Sequence, residues 1–264
     1  MTLIIDYSTS RPSNAQLLSA GVTAVGRYIG WDGTPGHSNT GKNISKAEAD
    51  GYLANKIDIF LAFEYEANAA ALGSGQGHQD GTLALQQMEA LGCPVGMASY
   101  FAVDFDIPDY APSLANTPAN ALAKLGPVGA YFTAIKALFK QYSVGCYGGY
   151  WAVKRLFDAG LIHYGWQTVA WSGGNVEPRS ALLQTLAKAP FPGADVNVHE
   201  PKVPTWGTWN QAAAADKTPV PPPPPPAGPT LAEAKAAWSE WQKLQIQADA
   251  QMAIVRNYLN TLKG

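Results

Sequence analysis

Tyr100-Phe101-Ala102-Val103-Asp104-Phe105-Asp106 is an apolar run that ends in two carboxylates two residues apart. Read as a strand, it puts residues i and i+2 on one face, with Cα atoms about 6.5–7 Å apart. Asp104 and Asp106 then stand side by side where the strand runs out. Charged acids are rarely placed this closely for structure alone, because each needs a partner or water. The pair marks the chain as an enzyme or as the descendant of one.

Working outward, seven more segments have the same apolar, β-branched character. They lie at 3–7, 22–29, 57–65, 143–148, 165–171, 181–186 and 194–198, with the opening run inside a fourth strand at 96–106. Helical patterns fall between them at 13–20, 45–55, 79–92, 118–142 and 149–159. Strands alternating with helices imply a parallel sheet. Eight of them imply an α/β fold closed into a (β/α)8 TIM-like barrel, expected over residues 1–210. An open doubly wound sheet is the alternative. Against it, Asp6-Tyr7-Ser8-Thr9 follows the first strand where a Gly-rich phosphate loop would stand.

Composition narrows the function. Apolar residues make up 47% and charged residues 14% of the 264, as in a globular chain with a sizeable core. A net charge of −2 with no basic cluster argues against nucleic acid or an anionic membrane as partner. Eight Trp and twelve Tyr suit a sugar ligand, whose ring has an apolar face, and equally suit a core. Cys93 and Cys146 read as buried free thiols. Neither they nor His37, His78, His163 and His199 have metal-ligand spacing, so no metal or other cofactor is expected. No apolar run approaches the roughly 20 residues of a membrane span. The first residues, Met1-Thr2-Leu3-Ile4-Ile5-Asp6-Tyr7, enter a strand at once, so synthesis in a cytoplasm without a signal peptide is expected.

The end of the sequence reads differently. Residues 211–229 contain six consecutive prolines at 221–226, a polyproline spacer that donates no backbone hydrogen bonds. Residues 230–264 read as one helix. Thr230 and Glu233 form a capping box. Leu231, Ala234, Trp238, Trp241, Gln245, Ala248, Met252, Val255, Leu259 and Leu262 follow 3-4 spacing throughout. That is a coiled-coil seam, and it predicts self-association or binding of a partner. The alternative is a helix lying on the barrel's surface.

In a (β/α)8 barrel the site forms at the C-terminal ends of the strands. The polar residues expected there are Asp6; Arg27 and Tyr28; Glu64; Asp104 and Asp106; Tyr147; Gln167 and Trp171; Gln184; and Asp195 and Asn197. Glu64 is expected to pair with Arg27. Carboxylates crowded on one rim raise one another's pKa, giving a protonated acid beside an ionised base, the arrangement that glycoside hydrolysis uses.

Several motifs carry a resemblance. Asp6-Tyr-Ser, the Tyr100–Asp106 run, Trp166-Gln-Thr, Leu183-Gln184-Thr and Asp195-Val-Asn-Val resemble the strand ends of glycoside hydrolase family 25, the lysozyme barrels. Phe63-Glu64, Ala67-Asn68, Gly145-Cys-Tyr-Gly-Gly-Tyr150 and Trp166-Gln-Thr-Val-Ala-Trp171, with the same Tyr100–Asp106 run, resemble more closely the actinobacterial glycoside-hydrolase-like domain of cell-envelope proteins and phage lysins or virion proteins. The likeness covers about residues 2–200.

The resemblance implies a barrel that meets bacterial cell-wall glycan and cuts a β-1,4 bond at N-acetylmuramic acid. It implies catalytic roles for Asp106, Asp104 and Asp6, with Asp106 as general acid at a position where the lysozymes carry Glu. Glu64, Arg27, Tyr147, Gln167, Trp171 and Asp195 are expected to bind substrate. Two functions follow as expectations. One is a peptidoglycan-directed glycosidase of an actinobacteriophage. The other is a glycan-binding virion component, in tail or head surface, attached through the 230–264 helix. The protein is then expected to act at the cell wall or within a phage particle.

Overall fold

Eight strands hydrogen-bond in chain order and close on themselves. They are β1 Leu3–Tyr7, β2 Val22–Ile29, β3 Asp58–Phe63, β4 Ala98–Val103, β5 Ser143–Gly148, β6 Tyr164–Thr168, β7 Ser180–Lys188 and β8 Ala194–His199. The structure, a computed structural model, describes residues 3–30 and 41–215. The chain divides into Met1–Thr218 and Pro219–Gly264. Residues 211–215 of the spacer expected over 211–229 are helical; the rest of it and the 230–264 coiled coil lie outside the described residues.

The helices on the barrel are α1 Asn14–Ser19, α2 Lys46–Ala54, α3 Ser74–Leu91, α4 Pro118–Leu125, α5 Pro127–Leu138 and α6 Tyr150–Asp158, with α7 Trp209–Ala215 after the last strand. Local sequence explains their limits. Ser13 and Gln16 form a capping box at α1, and Ser45 accepts from the Glu48 amide at α2. Gly92, in the left-handed conformation at φ 76°, ends α3. The single helix expected over 118–142 is broken at Gly126-Pro127, where Gly126 has φ 54° and the proline removes a donor.

The sheet departs from the expected all-parallel barrel at its end. The pairs from β1–β2 through β6–β7 are parallel, whereas β8 runs antiparallel to both β7 and β1. Residues 189–193 join β7 to β8, too short a link for a parallel crossover, which needs a dozen residues or more. No helix separates β6 from β7. The reversal has a consequence for the site: Asp195 sits near the start of β8, and the antiparallel direction brings it opposite Asp6 near the end of β1.

Two cores result from strand alternation. Ile5, Val25, Ile59, Phe101, Val144 and their parity-mates face outward and pack under the helices. Ile4, Ala24, Phe60, Ala62, Ala98, Tyr100, Trp166 and Leu182 fill the barrel itself. Inside, rings stand against glycines. A Cβ on Gly26 would lie 2.6 Å from Phe60, and one on Gly145 would lie 2.6 Å from Tyr100. This pairing of large with small residues fits four aromatic side chains into a lumen only wide enough for side chains. Trp166 touches Phe60, Tyr100 and Tyr147 edge-on, with centroids at 5.1, 5.9 and 4.7 Å. Trp206 closes the floor, accepting a 2.7 Å hydrogen bond at its carbonyl from Tyr100 and stacking on His199. Both cysteines are buried and free, as expected.

Gly145→Ala should lower stability by about 1–3 kcal/mol, because the added methyl overpacks the ring of Tyr100. Urea denaturation at constant m-value would read the loss. Tyr100→Leu in the same chain should recover part of it, and strict additivity of the two changes would contradict the account.

Candidate active site

Asp6 is 1% exposed, on the inward face of β1 near its C-terminal end. Its carboxylate is met by three donors. Asn197 Nδ2 donates to Oδ2 at 2.8 Å, Gln184 Nε2 donates to Oδ2 at 3.1 Å, and the Tyr28 hydroxyl donates to Oδ1 at 3.4 Å. The two amides are themselves oriented from behind. Trp166 Nε1 donates to Asn197 Oδ1 at 2.7 Å, and the Tyr147 hydroxyl donates to Gln184 Oε1 at 2.7 Å. The aromatic fill of the barrel therefore aims both amide NH2 groups at Asp6.

Burial opposes ionisation here more strongly than the donors favour it. The Asp6 pKa is pushed from 3.8 up to about 7, by burial first, with the Asp195 charge adding to it and the three hydrogen bonds working against it. Tyr28 and Tyr147 are both raised by burial, and nearby acids add to the rise. Asp104 is half-buried at the end of β4, and its pKa is raised by burial and then by the charge of Glu64, with Lys42 opposing. Lys42 ion-pairs with Glu64 and lies 4.3 Å from the Tyr28 ring centroid. The mouth thus gathers Asp6, Glu64, Asp104 and Asp195 around two tyrosine hydroxyls and one lysine.

The structure separates the opening Asp104–Asp106 pair. β4 stops at Val103 and the chain bends at Phe105, so the two acids do not share a strand face. Asp104 belongs to the mouth, and Asp106 is exposed beyond it, against Asp109, Trp151 and Arg155. Arg27 does not pair with Glu64. It points outward, fully buried under α2, where it bonds Glu48 at 2.7 Å, the carbonyls of Tyr7, Ser8 and Lys42, and stacks over the Tyr7 ring. Gln167 also faces away from the lumen. It organises the β6–β7 connection through Ser172, Asn175 and Glu177.

Trp171 lies on that connection, 38% exposed, with φ 53° and its Cβ close against Gly149. A left-handed tryptophan is strained, and such strain concentrates at functional sites. Tyr147 and Asp195 stand at the mouth as expected, Asp195 exposed at its rim. Sequence reading found no part for Lys42. It also gave none to Tyr28, Gln184 and Asn197, although it put them at strand ends. Parity would have found these three, since Tyr28 is two residues from Gly26, which abuts Asp6. Among the described residues no group of His, Cys, Asp and Glu could hold a metal ion. No described helix is long and apolar enough to cross a membrane.

A family model described as "Rv2525c-like, glycoside hydrolase-like domain" matches residues 15–219. Among solved structures, the Tat-secreted protein Rv2525c of Mycobacterium tuberculosis aligns with TM-score 0.64 and 24% identity, over 78% of this chain and 98% of that one. A Bacillus stearothermophilus protein aligns with TM-score 0.53 and 12% identity, over 77% and 98%. GHIP, a glycosyl hydrolase 25 of Streptococcus pneumoniae, aligns with TM-score 0.50 and 14% identity, over 76% and 88%. These likenesses establish a glycosidase-like fold. Among curated proteins none matches.

One expectation is overturned. The expectation of synthesis without a signal peptide conflicts with the mycobacterial relative, which is a Tat-secreted protein. Export signals are addresses read by the transport machinery and are separable from the fold they deliver, so nothing in the barrel pattern could have supplied the answer.

Asp6 also sets a pH dependence. Its folded pKa is raised, so the stability it lends is present below pH 4 and is lost as pH rises toward 7. Asp6→Asn keeps a carbonyl oxygen for Asn197 and Gln184 and cannot ionise. Its stability relative to wild type should therefore climb between pH 4 and 7, by on the order of 4 kcal/mol, then level off. Urea melts across that range would check it, and a pH-independent difference would rule it out.

Proposed function

The chain belongs to the Rv2525c-like, glycoside hydrolase-like family, and from this we propose that its barrel mouth binds bacterial cell-wall glycan and hydrolyses a glycosidic bond. The observation that carries the reading is the state of Asp104. A half-buried carboxyl at a strand end, with Glu64 beside it, keeps its proton to higher pH than an ordinary aspartate. A proton donor with its pKa shifted toward neutrality is what a glycosidic leaving group requires.

In this reading Asp104 gives its proton to the bridging oxygen as the C1–O bond breaks. Positive charge develops on the sugar ring. Asp195, paired with Asp6 across β8 and β1, places negative charge next to it, and Asp6 adds its own charge as pH rises past about 7. Asp195 is open to solvent at the rim, and it takes the proton of the water that adds to C1. Tyr28 and Tyr147 line the floor below the sugar, and Trp171 offers an exposed ring at the edge. The charge of Glu64, opposed by Lys42, helps keep the Asp104 proton in place.

A second reading is binding without cleavage, and the position of Asp106 favours it. The lysozymes that the sequence resembles carry a catalytic Glu there, whereas Asp106 is exposed outside the mouth.

Digestion of purified peptidoglycan followed by mass spectrometry separates the two. Hydrolysis predicts new reducing ends, lost by a factor of about 10²–10⁴ in Asp104→Asn and largely retained in Asp106→Asn. No release anywhere between pH 4 and 8, with the protein still sedimenting on the wall, would leave binding as the function.

A further inference from the structure

Beside the mouth, a groove of about 320 Å³ is lined by Asp106, Ile107, Asp109, Asn116, Trp151 and Arg155. It lies between the segment after β4 and the first turns of α6, so a ligand leaving the mouth past Asp104 meets it two residues on, at most about 7 Å along the chain. Its walls are fixed. Lys124 Nζ bonds Asp109 at 2.9 Å and the Ala111 carbonyl at 3.0 Å. Arg155 Nη1 donates to the carbonyls of Lys124 at 3.1 Å and Pro108 at 3.4 Å, and Nη2 lies 3.6 Å from Asp109. Its guanidinium sits over the Trp151 ring at 4.9 Å.

Arg155 is 5% exposed, and its Nε is a buried donor with no hydrogen-bond partner among the described residues. Such a donor is costly to leave unpaired, which makes the guanidinium a ready partner for an acceptor. The remaining chemistry is mixed. Asp106 accepts, Asn116 both donates and accepts, and Trp151 gives an aromatic surface. A phosphate or carboxylate ligand would face the negative charge of Asp106. A wholly apolar one would leave the Arg155 donor unanswered. A pyranose ring answers all of them, with hydroxyls that donate and accept around an apolar face. At roughly the lower limit of small-molecule sites, about 300 Å³, the groove has room for a small ligand such as a single sugar residue.

Building on the glycan reading of the mouth, we propose that this groove is an accessory sugar subsite. One residue of the glycan packs on Trp151, one of its oxygens accepts from the Arg155 guanidinium, and one of its hydroxyls donates to Asp106. Asp106 is then a sugar-binding residue and not the general acid that its sequence position suggests.

The test titrates the full chain with the β-1,4 dimer and hexamer of N-acetylglucosamine, read by calorimetry. Trp151→Ala and the exposed Asp106→Asn should each weaken hexamer binding about tenfold and leave the dimer unchanged. Near-ultraviolet circular dichroism serves as the folding control. Asp106→Asn keeps the test open if Trp151→Ala misfolds. Wild-type hexamer affinity in folded variants would overturn the subsite and leave the glycan reading of the mouth standing. Equal weakening of dimer and hexamer would overturn its place outside the mouth. Failure of the wild type to bind either oligomer would overturn both readings.

Discussion

An indole nitrogen can donate a hydrogen bond and cannot accept one. Trp166, locked in the middle of the barrel by Phe60, Tyr100 and Tyr147, gives its hydrogen to Asn197. That fixes which end of the Asn197 amide faces inward and leaves its NH2 pointing at Asp6. Tyr147 acts in the same way through Gln184. Asp6 is therefore surrounded by donors and shielded from water at once. Ionisation is resisted by one and supported by the other, and the balance sits near neutrality. The core does not merely support the mouth; it sets the protonation of the acid at its base.

Charge is segregated by the sheet. Arg27 and Glu48 neutralise each other between the strands and α2, on the far side of the wall from Asp6. Among the described residues Lys42 is the cation on the mouth side, and it pairs with Glu64. Had Arg27 faced inward as the sequence suggested, a guanidinium beside the acids would have held their pKa values down. Its outward position leaves Asp6 and Asp104 raised. The same guanidinium ties the ends of β1 and the segment before α2 together through three carbonyls, so it holds the backbone that carries Asp6.

Much of this was legible in the sequence. Eight strand segments and most helices follow from apolar periodicity and turn residues. Acids at strand ends follow from the rule that such barrels place their sites there. The errors have particular causes. β4 was read through to Asp106 because the residues alternate well, but the chain leaves the sheet after Val103. Arg27 and Gln167 were chosen over Tyr28 and Trp166 because charge and amide look more functional than ring, although a one-residue shift changes the face. Asp195 was placed at a strand's end and lies at a strand's start; the antiparallel direction of β8 put it on the right rim for the wrong reason. Lys42 was missed because it comes from a loop, where no periodicity applies.

By itself the sequence determined the barrel, its two-sided packing and the presence of surplus acids, because these rest on local patterns of apolar and polar residues repeated along each strand. Only the tertiary structure decided which acids meet. Strand direction, the bend after β4 and the inward or outward face of each residue depend on contacts between segments far apart in the chain. So do the burial that raises Asp6 and Asp104 and the donors that converge on Asp6. The two carboxylates that stand two residues apart in the sequence stand in different places in the fold, one in the mouth and one in the groove beside it.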